Sequence, residues 1–182
     1  MKLRSTAVAL CLALAASCKI VTVPSPMGTT PVAPVSADWD GTWACGFQSP
    51  VTLWVNDSGA VRLIYTEMEG DELVTHEIEW QLETHGDWMF ASAPVPDMPG
   101  KFLWARVWRE EEQLIAWLPD PEQLAELVRT GTLPGTVEED GNVFLGELSS
   151  EQLDALTTRE SGSILWDKPI AFVRVTNHLG FR

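Results

Sequence analysis

Leu73-Val74-Thr75-His76-Glu77-Ile78-Glu79-Trp80-Gln81-Leu82-Glu83 decides the fold. Val74, His76, Ile78, Trp80 and Leu82 alternate with Thr75, Glu77, Glu79, Gln81 and Glu83. A period of two places each set on its own side of an extended strand. One side is apolar and the other acidic, the pattern of an antiparallel sheet with one face in water. Working outward, shorter stretches of the same kind predict strands at Trp39–Phe47, Val51–Asn56, Ala60–Thr66, Trp88–Ala91, Lys101–Arg109 and Gln113–Leu118. Asn56-Asp57-Ser58-Gly59, Glu69-Gly70-Asp71 and His85-Gly86-Asp87 supply the turns between them.

The periodicity changes after Leu118. Asp120-Pro121-Glu122-Gln123 combines an N-cap, a proline at the first helical position and a Gln three residues after the cap, so a helix is predicted to Thr130, with Gly131 as its stop. Ser149-Ser150-Glu151-Gln152 is a capping box and predicts a second short helix to about Arg159. Strands are predicted at Asn142–Leu148, Ser163–Asp167 and Ile170–Thr176. The expected fold is mainly β (α+β): an antiparallel barrel or strongly bent sheet, with two short helices near the C-terminal half. It forms a single domain over residues 38–182.

Gly41-Thr42-Trp43 on the first predicted strand of that domain resembles the Gly-x-Trp of lipocalin-type barrels. The resemblance implies that an Arg on a late strand packs across Trp43 and closes one barrel end; Arg174, in Phe172-Val173-Arg174-Val175, is the matching residue. The stretch from Asp120 to Val175 is also similar to a loosely defined group of uncharacterised bacterial lipoproteins, through Leu133-Pro134-Gly135 and the ending from Pro169 to Val175. That group implies no activity.

The N-terminus carries a different message. Met1-Lys2-Leu3-Arg4 followed by the apolar run Ala7 to Ala16 reads as a secretory signal peptide over residues 1–17, too short to span a bilayer. Leu14-Ala15-Ala16-Ser17-Cys18 resembles the bacterial lipobox, with Ala15 where that pattern prefers Leu. The resemblance implies cleavage before Cys18, lipidation of its sulfur and a membrane partner reached through the lipid. Lys19 is not the Asp of an inner-membrane retention signal, so the expected location is the cell envelope, at the outer membrane. Residues 18–37 hold Pro24, Pro26, Pro31 and Pro34 and are expected to form a disordered spacer.

The chain has 26 Asp and Glu against 12 Lys and Arg, and a formal net charge of −14. All the acids, but only nine of the basic residues, lie in the domain. That balance excludes nucleic acid as a partner, because a phosphate backbone requires clustered cations. Glu110-Glu111-Glu112 reads as a solvated hairpin tip; together with Glu67, Glu69, Asp71 and Glu72 it forms either a solubilising surface or an acidic patch near one end that would speed encounter with a basic protein. No nucleophile motif, phosphate loop or metal-ligand spacing occurs, so no catalytic residue, metal or cofactor is expected and the protein reads as non-enzymatic. His76 reads as a core histidine, whereas His85 and His178 read as solvated. Cys45 reads as a buried, inert thiol.

The nine Trp are the main apolar resource. Phe102, Trp104, Arg106 and Trp108 share one face of a strand, where an Arg between two rings can stack and still offer donors to an acid group. Period alone leaves open whether that face lines the barrel or looks outward. The expected ligand-binding residues are His76, Trp80, Trp104, Arg106 and Trp108, holding a small apolar or amphipathic molecule in the barrel interior. The alternative is an acidic interaction or inhibitor module that acts on a basic partner.

Overall fold

The computed structural model describes residues 19–46, 49–158, 164–165 and 168–175. In chain order the elements begin with β1 (Val21–Val23), β2 (Thr30–Pro31), α1 (Ser36–Trp39), β3 (Gly41–Ala44), β4 (Val51–Val55), β5 (Val61–Glu69) and β6 (Glu72–His85). They continue with β7 (Trp88–Pro94), β8 (Phe102–Glu110), β9 (Gln113–Trp117), α2 (Pro121–Arg129), β10 (Gly135–Val137), β11 (Val143–Leu145), α3 (Ser150–Thr157) and β12 (Ile170–Arg174). The signal peptide, Cys18, Trp166 and His178 lie outside the described residues.

Eight strands close an antiparallel barrel in the order β3-β4-β5-β6-β7-β8-β9-β12, and β12 returns to β3. The decisive strand behaves as its alternation requires. Tyr65 pairs with His76, Leu63 with Ile78 and Val61 with Trp80, so the apolar set of β6 shares the interior face with the buried set of β5. Closure removes the exposed edges that an open sheet of this length would leave.

The barrel wall is used on both sides. Inside lie Trp43, Val51, Leu53, Val61, Leu63, Tyr65, Leu82, Ala91, Ala105, Val107, Leu114 and Phe172. A second core forms on the outer face of β7 and β8, where Trp88, Phe90 and Trp104 meet Leu124 of α2, Leu153 and Leu156 of α3, Val143 and Leu145 of β11, and Val21, Val23 and Met27. Both helices start as their sequence dictates. Asp120 Oδ1 accepts from the Glu122 and Gln123 amides at 2.8 and 3.1 Å, and Ser149 and Gln152 form a reciprocal capping box.

Several expectations need correction. Residues 19–37 are not a disordered spacer. β1 pairs with β8 on one side and β11 on the other, and Val21, Thr22, Val23 and Met27 are buried. Pro24, Pro26 and Pro34 fall between short pieces of paired strand, and Pro31 ends the two-residue β2 against Glu83, positions where a proline is tolerated. Trp39 opens no strand; it ends α1, a third short helix. β5 and β6 extend further than their alternation suggests, because the two-residue Gly70-Asp71 turn keeps the hairpin zipped to its tip. Of Ser163–Asp167, only Ile164 and Leu165 are described, and Leu165 makes a single bridge to Pro119. His85 is not solvated: it is 9% exposed, with Nε2 2.7 Å from Asp154 Oδ1 of α3 and Nδ1 3.2 Å from Thr29 Oγ1.

Candidate functional site

The strand registers define two barrel ends. One gathers α1, the 56–60 turn, the 86–87 turn and the 111–112 turn; the other gathers the tip of the β5–β6 hairpin and the 95–101 loop. The acidic groups 110–112 and 67–72 therefore sit at opposite ends, not at one.

The first end is sealed. Trp43 is fully buried, and its indole Nε1 donates to the Trp39 carbonyl at 3.0 Å. Arg174 pairs with Trp43 across β3 and β12, its guanidinium carbon 4.9 Å from the ring centroid. The same guanidinium donates to the carbonyls of Ala37 and Asp38 and lies 3.6 Å from Glu112. Arg109 grips α1 from the other side, with Nη2 2.7 Å from Asp38 Oδ1 and Nε donating to the Asp38 carbonyl at 2.9 Å. Two cations thus satisfy the carbonyls of a helix too short to satisfy its own. Asp40 is occupied as well, accepting from the Val55 amide at 2.7 Å.

The other end is the barrel mouth. β4 pairs with β5 only as far as Ile64, and β7 pairs with β6 only from Gln81 onward. The rest of the hairpin stands past the wall as a two-stranded ribbon. Its outer face carries the cross-strand pair Met68 and Leu73, 61% and 71% exposed. Residues 63–79 contain six acids and no Lys or Arg; Arg62, at the base of the ribbon, binds Glu77 at 2.9 Å. The inner face carries Tyr65, Glu67, Glu69 and His76. The His76 ring stacks on Tyr65 with centroids 4.9 Å apart and planes 20° apart. Its Nε2 lies 3.1 Å from a Glu67 oxygen and 3.3 Å from a Glu69 oxygen.

The five expected ligand-binding residues do not converge. His76 and Trp80 lie on the interior face of β6, whereas Trp104, Arg106 and Trp108 lie on the outer face of β8, as the pairing of Phe90 with Arg106 and of Ala91 with Ala105 requires. Trp104 is buried in the outer core, edge-on to Phe90 at 6.0 Å. Arg106 is sandwiched 4.0 Å from the Trp88 ring centroid and 4.9 Å from that of Trp117. Burial there lowers its pKa from the ordinary arginine value, and the two π-faces replace the lost water. Trp108 is partly exposed.

Tyr65, Glu67 and Glu69 are the mouth residues that the sequence reading left out of its site. Their signal was present: three inward positions at period two, running straight into a tight Gly-Asp turn. Ending the strand at Thr66 hid it. Burial raises the pKa of the Cys45 thiol, consistent with an inert side chain. The chain matches no protein-family model, no curated protein and no solved structure.

Proposed function

We propose that the protein is a non-enzymatic binding module of the bacterial cell envelope, lipid-anchored at the outer membrane through Cys18, which engages a basic protein through the ribbon at its barrel mouth. The observation that carries this reading is the exposed Met68–Leu73 pair on a strand ribbon rich in acids and lacking Lys and Arg. Two adjacent exposed apolar side chains supply the dry centre of a contact, and carboxylates around them supply a polar rim. The negative field raises the encounter rate with a cationic surface and makes it salt-sensitive.

Binding of a small apolar or amphipathic molecule in the barrel interior has less support. Trp43, Tyr65, Phe172, Leu53, Leu63, Leu114 and Val61 occupy that interior, each less than 2% exposed. An eight-stranded barrel is wide enough to be filled by its own side chains or to hold one small ligand, and these seven buried side chains favour the first.

The anchor takes a different form from the leash suggested by the prolines. The Ile20 amide donates to Asn142 Oδ1 at 2.8 Å, and Val21 is buried. A lipid on Cys18 would therefore hold the domain against the membrane surface. Mass spectrometry of the N-terminal peptide from the native host tests this; acylated Cys18 is expected, and unmodified Cys18 would refute it. A photo-crosslinking residue in place of Leu73, compared with one in place of Ser58 at the sealed end, tests the mouth. A protein adduct is expected at position 73 alone and should fade at high salt. Equal adducts at both positions, or an adduct at 58 only, would count against the reading.

A further inference from the structure

We propose that Glu67, Glu69 and His76 form a binding site for a divalent transition-metal ion, with Zn2+ as its reference ligand. The site is separate from the Met68–Leu73 contact, which lies on the opposite face of the same ribbon. It stands or falls independently of that reading.

Three observations carry the proposal. The first is chemical: an imidazole nitrogen and two carboxylate oxygens come within 4.8 Å of one another. Nitrogen and oxygen donors of this kind suit borderline divalent ions better than Ca2+ or Mg2+, which prefer oxygen alone.

The second is geometric. His76 Nε2 is 3.1 and 3.3 Å from the two carboxylate oxygens, yet it is shielded from solvent and makes no aligned hydrogen bond to either. Two donors that each sit ~2.1 Å from one zinc ion are separated by about 3.0 Å at a right angle and about 3.4 Å at a tetrahedral angle. The two separations from Nε2 fall in that interval, and the three donor atoms all lie within 4.8 Å of one another. His85 makes the contrast plain, since both its ring nitrogens face partners, Asp154 and Thr29.

The third is preorganisation. Tyr65 is buried and stacks on the His76 ring, which fixes the imidazole plane. Glu67 and Glu69 project from alternate positions of the facing strand, in the register that Tyr65↔His76 sets. The Glu69 side chain is half exposed, so it can swing inward to complete the set. Three protein donors leave a further coordination position for water or for a group on a bound partner.

The test is calorimetric titration of Zn2+ into the purified chain, with the Glu67→Gln/Glu69→Gln and His76→Gln variants alongside. Near-ultraviolet circular dichroism of the tryptophans monitors the fold. One site is expected to disappear in each variant, with affinity reduced at least about tenfold, the lower bound for disturbing a metal centre. A second readout is the imidazole nitrogen spectrum, in which Zn2+ should move the His76 Nε2 resonance and leave His85 in place. The Glu→Gln changes keep the shape of the side chains, and circular dichroism reports the fold of the His76→Gln variant, so a folded variant that binds Zn2+ as well as the parent overturns the proposal. So does a parent chain that binds no Zn2+ tighter than about 1 mM, roughly 4 kcal/mol.

Discussion

The two ends of the barrel use the same residue types to opposite purposes. At the sealed end both arginines have built partners: Arg174 lies on Trp43 and on the α1 carbonyls, and Arg109 on Asp38. At the mouth the acids outnumber the cations, and two apolar side chains stand in water. Sealing consumes cations and aromatic surface to stabilise the molecule. The mouth leaves both charge and apolar area exposed, the surface that the proposed contact would use.

Substitutions should separate the ends. The largest effect is expected for Trp43→Ala, which empties a fully buried site; about 3–5 kcal/mol of stability should be lost, measured by denaturant unfolding. Arg174→Met keeps much of the packing but removes the stacked cation and its carbonyl contacts, and a loss of ~2 kcal/mol is expected. A smaller, pH-dependent effect is expected at Glu83, whose pKa is raised by burial. A carboxylate with a raised folded-state pKa binds its proton more tightly in the folded protein. Its contribution to stability therefore grows as pH falls through that pKa and is lost as pH rises. Glu83→Gln should flatten this part of the stability profile and leave the remainder unchanged. Last, Met68→Ser/Leu73→Ser should alter stability by no more than about 0.5 kcal/mol while abolishing crosslinking from a neighbouring mouth position such as Thr75. A large loss of stability in that pair would mean that the ribbon is structural.

The sealed end was legible in the sequence and the mouth only partly so. The resemblance of Gly41-Thr42-Trp43 to lipocalin-type barrels implied that Arg174 packs across Trp43, and the two residues pair across β3 and β12. The antiparallel strands followed from alternation such as that of residues 73–83, which left a closed barrel and a bent sheet both open, and the helices followed from Asp120 and Ser149, since capping is a local interaction. Whether the Trp104–Arg106–Trp108 face looked inward or outward was not legible. Both faces of β8 are apolar, and only the outer core contributed by Leu124, Leu153 and Val21 explains why. The packing of residues 19–31 was hidden for a related reason. β1 has three residues, too few for a periodic signal, and its partners come from β8 and from the distant β11. At the mouth, His76 was singled out, but Glu67 and Glu69 were read as surface charge, because their convergence on it depends on the hairpin register.

Native-state hydrogen exchange tests the contrast between the ends most directly. Amides at the seal, among them Arg174, which donates to the Glu112 carbonyl, and Val175, which donates to that of Thr42, should exchange only through global unfolding. Those near the ribbon tip, residues 68–73, should exchange through local opening at least about a hundredfold faster. Comparable protection at both ends would contradict the account, because it would make the mouth as firmly packed as the seal.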